Sequence, residues 1–180
     1  LPIMVCSTMS ASQGHREKYT GVLRHYSQNA SDSLKYKAAL FVIDNMEGHC
    51  SPEGKAMDSF ISHIRTMKKA KGIRELQTAW NSSLREGRVE IVPDSMVVTD
   101  EFLINDIDNA YNSWQQSQWK DSITFSLFCR YILPYRINDE HFGGNWRESL
   151  RKQYAAVIEG VSDMRKAFAI VRDTVFNVIA

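Results

Sequence analysis

Thiols and imidazoles come first, because a nucleophile with a base in reach is a common route to bond chemistry. The chain holds three cysteines, Cys6, Cys50 and Cys129, and five histidines, His15, His25, His49, His63 and His141. Thiol catalysis needs a Cys, a His within hydrogen-bond reach and a group that orients the His. Cys50 adjoins His49, with Asp58 and His63 a little downstream, yet side chains adjacent in sequence point in different directions. A thiol hydrolase using Cys50 is therefore the weakest of the readings. Cys129 lies inside FSLFCRYIL and reads as a small buried hydrophobe; the polar cluster Asp139-Glu140-His141 further on reads as solvated loop. Should Cys6 leave with a leader, Cys50 and Cys129 remain as a pair that an oxidising compartment could join. Metal ligation has no HExxH, no His pair four apart and no Cys/His ligand spacing behind it. GxGxxG and GxxxxGK are missing too, and Asp106 and Asp108 share a helix without facing each other. The sequence thus nominates no catalytic residue, no cofactor and no metal.

Aromatic residues interleaved with arginine are the stronger candidates for a surface. Trp114, Trp119, Tyr135, Trp146 and Tyr154 gather in the second half, with Arg130, Arg136 and Arg147 among them. Such a set suits a sugar- or peptide-binding platform or a domain-docking face. The plainer reading places Trp114, Trp146 and Tyr154 in the core, as their helical spacing suggests. Tyr135 and Arg136, just past Pro134, are the members expected to be exposed. The proposed docking or ligand face is Tyr135, Arg136, Trp146, Arg147 and Trp119.

The elements that must position these residues are helices. At 180 residues, with 43% hydrophobic and 24% charged residues, the chain can bury a core of ordinary size. A net charge of +1 gives no electrostatic reason to expect nucleic acid. No apolar stretch reaches the ~20 residues that span a bilayer. The start, LPIMVCSTMSASQG, resembles the end of a signal peptide and is expected to be a leader remnant or structureless tail over 1–14. Cys6 invites a lipid anchor, although Val5 stands where a small residue usually precedes a lipidated Cys.

Periodicity predicts helices over about His15–Gln28, Asp32–Met46, Gly54–Lys71, Ile73–Glu86, Thr124–Leu133 and Asn145–Gly160, all within one helical domain, 15–180. Thr99 is a natural N-cap, followed by Asp100 and Glu101 and by an inward stripe of Leu103, Ile107, Ala110, Tyr111 and Trp114. On that helix Asp106 and Asp108 should face elsewhere. Pro93 and the alternation of Val89 and Ile91 make 88–98 the one extended connector, with room for a short edge strand. Leu84, Leu150 and Val157 should point inward. Ser162 is expected to cap the last helix, whose Met164, Phe168, Val171, Val175 and Val178 form one apolar stripe. That helix has no stop signal, from which the sequence is expected to have been cut from a longer protein. The fold class that follows is mainly α, a multi-helix orthogonal array or bundle of seven or eight helices.

Three passages carry a family resemblance: LRHYSQNASDSLKYKAALFVIDNMEGHCSPEG, VTDEFLINDIDNAYNSW and ITFSLFCRYILPYRINDEHFGGNWRESLRKQY. From about Arg16 to the end, the chain resembles a helical region of exported proteins of Bacteroidetes-type bacteria. There the region precedes a transglutaminase-like domain of the papain-like thiol-enzyme class. The resemblance implies a non-catalytic N-terminal domain that packs against or covers that core, and it places the catalytic Cys, His and Asp in the core. It also implies export, to the periplasm, the outer membrane or the exterior, with membrane contact only through a lipid anchor. Cys50 stands where the family's GHYS pattern has an aromatic residue, which argues against a nucleophile there. A module of a different class, binding glycan or peptide at the cell surface, is the alternative.

Overall fold

Apolar side chains spaced three and four apart are gathered on one side only by a helix. The computed structural model, which describes residues 8–67, 69, 71–83, 89–136 and 146–179, is accordingly mainly helical. In chain order the elements begin with α1 (Thr8–Lys18), α2 (Thr20–Ser27) and α3 (Ser33–Asp44). Strand β1 (Cys50–Glu53), helices α4 (Lys55–Met67) and α5 (Ile73–Ser83), and strand β2 (Glu90–Pro93) follow. The remainder is α6 (Asp94–Val97), α7 (Asp100–Gln116), α8 (Phe125–Leu127), α9 (Trp146–Tyr154) and α10 (Met164–Ile179). A π turn, Phe128–Ile132, continues α8, and 3-10 turns lie at Ala30–Asp32, Lys120–Ser122 and Ala155–Ile158. No helix among the described residues is long and apolar enough to cross a membrane.

Several boundaries differ from the sequence expectation. Helix α1 begins at Thr8, inside the segment anticipated as leader or tail. The first predicted helix is broken at Tyr19, whose φ of −94° and ψ of 30° interrupt the helical run. Asp163, not Ser162, caps α10: its carboxylate accepts the Lys166 N–H at 2.8 Å. Of the connector expected over 88–98, only Glu90–Pro93 is a strand, β2, which pairs antiparallel with β1 in the register Cys50↔Pro93, Ser51↔Val92, Pro52↔Ile91 and Glu53↔Glu90, while Asp94–Val97 turns into helix α6. Thr99 caps α7 as anticipated, accepting from the Phe102 N–H at 3.1 Å. Leu84, Asp139, Glu140, His141 and Cys6 lie outside the described residues.

The chain divides into two compact units where the sequence suggested one domain. Unit 1 comprises Leu1–Asn45, Thr99–Tyr135 and Gly143–Ala180; unit 2 comprises Met46–Val98 and Arg136–Phe142. Unit 1 is built around α7, which meets α2, α3 and α9. Its core holds Tyr19, Val22, Tyr26, Ile43, Leu103, Ile107, Phe128 and Leu133. Trp114 stacks on Phe128, with centroids 4.6 Å apart and planes 17° from parallel, and Tyr111 meets both rings edge-on. Such aromatic pairs contribute about 0.5–1.5 kcal/mol each beyond their buried area. Tyr26 brings its hydroxyl to the Ile104 carbonyl (3.0 Å) and the Asp108 carboxylate (3.1 Å). Burial, with Asp108 adding to it, raises that phenol's pKa. The Asp100 carboxylate at the start of α7 lies against Gly21 of α2, where a Cβ would stand 2.0 Å from Oδ2 unless that side chain turned away.

Unit 2 is the β1–β2 ribbon with α4, α5 and α6. Its buried polar centre is Asp94, with Ser51 donating to its carboxylate at 2.8 Å. Arg136 reaches both Asp94 oxygens at 2.5 Å and the Cys50 carbonyl at 2.9 Å. A carboxylate sealed from water is tolerable only with such partners.

Candidate functional site

Pro134 dictates the local structure around most of the nominated residues. It has no N–H and stops the preceding helix, which leaves the last carbonyls without intrahelical partners. The turn has already widened there: Leu133 N–H reaches back five residues to the Phe128 carbonyl, at 2.9 Å. Arg147 supplies what is missing. Its guanidinium donates to the carbonyls of Ile132 (2.6 Å), Leu133 (2.7 Å) and Pro134 (2.5 Å), and to Asp106 Oδ1 (2.7 Å). Trp146 completes the clasp, donating its indole N–H to the Tyr135 carbonyl at 2.7 Å while Arg147 lies over its ring at 4.7 Å.

Three expectations are corrected by this clasp. Tyr135 and Arg136 are not exposed; they are 5% and 7% accessible. Tyr135 packs edge-on to Phe102, and Arg136 is turned into the Asp94 network of unit 2. Asp106 does not face elsewhere but is 2% accessible, one position from the buried Ile107. Its carboxyl pKa is raised, because desolvation outweighs the opposing pull of Arg147. Trp146 and Arg147 are half-buried and turn their polar groups inward. Arg136, Trp146 and Arg147 therefore secure backbone, and Tyr135 packs on Phe102, instead of presenting a face.

Trp119 is the exception. It borders a cleft of about 480 Å³ in unit 1, walled by the end of α7, the link after it, α9, the turn Ala155–Ile158 and Val171 of α10. The ring is held by its indole N–H, which donates to the Ser162 carbonyl (2.7 Å), and the main chain beneath it by its backbone N–H, which donates to Ser117 Oγ (3.1 Å). Gln118 donates to the Val161 carbonyl at 2.7 Å, so residues 118 and 119 both pin the chain that launches α10. Tyr154, Ser113, Gln116, Arg151 and Glu159 line the same space, and Arg151 donates to Gln116 Oε1 at 3.2 Å. Gly160, at a φ of +74°, turns the wall. Sequence reasoning named Trp119 and Tyr154 but missed Gln116, Arg151 and Glu159, which look like ordinary helix-surface residues until α9 folds back beside α7.

The thiol reading gains nothing from the geometry. His63 directs Nδ1 to the carbonyl of Ser59 in its own helix at 2.7 Å, and Cys50 Sγ faces the Gly48 carbonyl at 3.9 Å. Cys50 and Cys129 are both free thiols, and burial pushes the Cys129 thiol up to about 11, away from the reactive thiolate. Among the described residues no cluster of three or more His, Cys, Asp or Glu is arranged to hold a metal ion. The expected inward stripe of α9 and α10 is also displaced: Leu150, Met164 and Phe168 are exposed, Ala167 is the buried side chain among those described in α10, and the side chains of Val175 and Val178 lie outside the described ones. Protein-family models, curated proteins and solved structures, each compared with this chain, yielded no match.

Proposed function

We propose that this chain is a non-catalytic helical module that docks onto another protein domain through the apolar flank of α10. On the resemblance drawn from the sequence, that domain is the transglutaminase-like core of an exported protein, which the module packs against or covers. The observation that carries the reading is Phe168. It is 68% accessible, with Met164 one turn before it, on a helix that buries the small Ala167 toward its own unit. A helix normally turns its largest apolar residues inward, and exposed apolar groups side by side mark an interaction surface. The docking face therefore moves from the Tyr135–Arg147 region to α10.

Dye binding and sedimentation test this directly. The chain alone should bind a hydrophobic fluorophore and self-associate at high concentration. Phe168→Glu should reduce both while leaving the melting temperature unchanged, since an exposed side chain supports little of the fold. Adding a transglutaminase-like core from a protein that carries this helical region should cover the same flank and raise the melting temperature by mass action. A chain that stays monodisperse and dye-free, and is indifferent both to Phe168→Glu and to the added core, overturns the reading.

A further inference from the structure

We propose that the cleft bordered by Trp119 binds a neutral oligosaccharide. The proposal is independent of the docking flank, and its residues are different ones. At about 480 Å³ the space falls within the ~300–1,000 Å³ usual for small-ligand sites. Trp119 is half-exposed with its ring tethered by the indole bond to the Ser162 carbonyl, so little ordering of that ring is needed when a ligand arrives. Tyr154 adds a second aromatic side chain to the lining. Aromatic faces suit the C–H face of a pyranose, which is apolar, while its rim is a ring of hydroxyls.

The polar lining matches such a rim. A hydroxyl donates one hydrogen bond and accepts two, so its best partners combine both capacities. Gln116 offers an amide, Arg151 a fork of donors, Glu159 a pair of acceptors and Ser113 a hydroxyl. The one cation and the one anion leave the lining without net charge, which favours an uncharged ligand over an acidic or basic one. A peptide fits less well. Neither described strand, β1 or β2, contributes to the lining, so it offers no sheet edge for an extended peptide to pair with.

Titration calorimetry of the whole chain against neutral tri- and tetrasaccharides of glucose, mannose and N-acetylglucosamine, in α and β linkage, decides the matter. At least one should bind saturably, with a dissociation constant in the sub-millimolar range. Arg151→Ala and Gln116→Ala should each weaken it at least tenfold at an unchanged melting temperature. Trp119→Phe, which keeps a ring, should retain most of the binding, and Trp119→Leu should abolish it. Both changes lose the bond to Ser162, so the difference between them isolates the aromatic face. Failure of every sugar to bind saturably, binding indifferent to the Arg151 and Gln116 changes, or selection of a peptide at this cleft instead would each overturn the proposal. Phe168→Glu should leave sugar binding intact, so a failed docking reading and a failed sugar site are told apart.

Discussion

Arg147 shows how much one side chain can organise. Its donors serve three backbone carbonyls and a buried carboxylate at once, a geometry that a lysine ammonium cannot reproduce. Arg147→Ala should destabilise by about 3–5 kcal/mol, the range for leaving a buried charge uncompensated, and Arg147→Lys by a smaller amount. Urea unfolding midpoints measure both. Asp106 gives the corresponding pH signature. Its proton is held more tightly folded than unfolded, so its contribution is full below the unfolded carboxylate value of about 4 and is lost as pH rises through the higher folded value. The stability of the native chain relative to Asp106→Asn should therefore fall as pH rises from about 4. A difference that grows instead would place the folded carboxyl below its ordinary range. Neither role was visible in the sequence, because Arg147 and Asp106 stand 41 positions apart. Asp106 was assigned to the wet side by a rule that fails once an arginine arrives from another helix.

At the scale of elements, local chemistry was legible and long-range pairing was not. The Thr99 cap, the Leu103–Ile107–Ala110–Trp114 stripe and the extended character of 90–93 all follow from residue types, and the structure has them. Strand β1 was hidden because Cys50-Ser-Pro-Glu has no alternation and becomes a strand only through its partner β2. The split of 125–132 into helix and π turn was hidden too, since the widening serves the Arg147 clasp and not any local preference. Tyr135 and Arg136 misled because a residue just past a helix-ending proline is usually exposed, and here each is claimed by a tertiary partner. Gly160 is a cleaner case. A Cβ there meets nothing within 4 Å, so only its φ of +74° resists substitution. Gly160→Ala should cost about 1–2 kcal/mol in thermal unfolding with no steric repacking. It should also misplace the Glu159 wall of the cleft and weaken sugar binding beyond its effect on stability.

At the scale of the whole molecule, the free thiols among the described residues report on different units, Cys129 on unit 1 and Cys50 on unit 2. In a Cys6→Ser background, iodoacetamide at neutral pH should modify half-exposed Cys50 readily. Cys129 should react only as unit 1 opens, because it is both buried and held at about 11. Equal labelling rates without denaturant would show that unit 1 is loosely packed. The mainly α class was within reach of composition and spacing, whereas the division into two units depends on which chain segments meet. The clasp has a last consequence, for biosynthesis. Asp106 leaves the ribosome 41 residues ahead of the arginine that neutralises it, a lag of roughly 2–8 s at about 5–20 residues per second. Throughout that interval the nascent α7 carries a bare acid on the face destined for the interior. Chains stalled between those two points should therefore leave α7 open to protease, and chains long enough to include α9 should protect it.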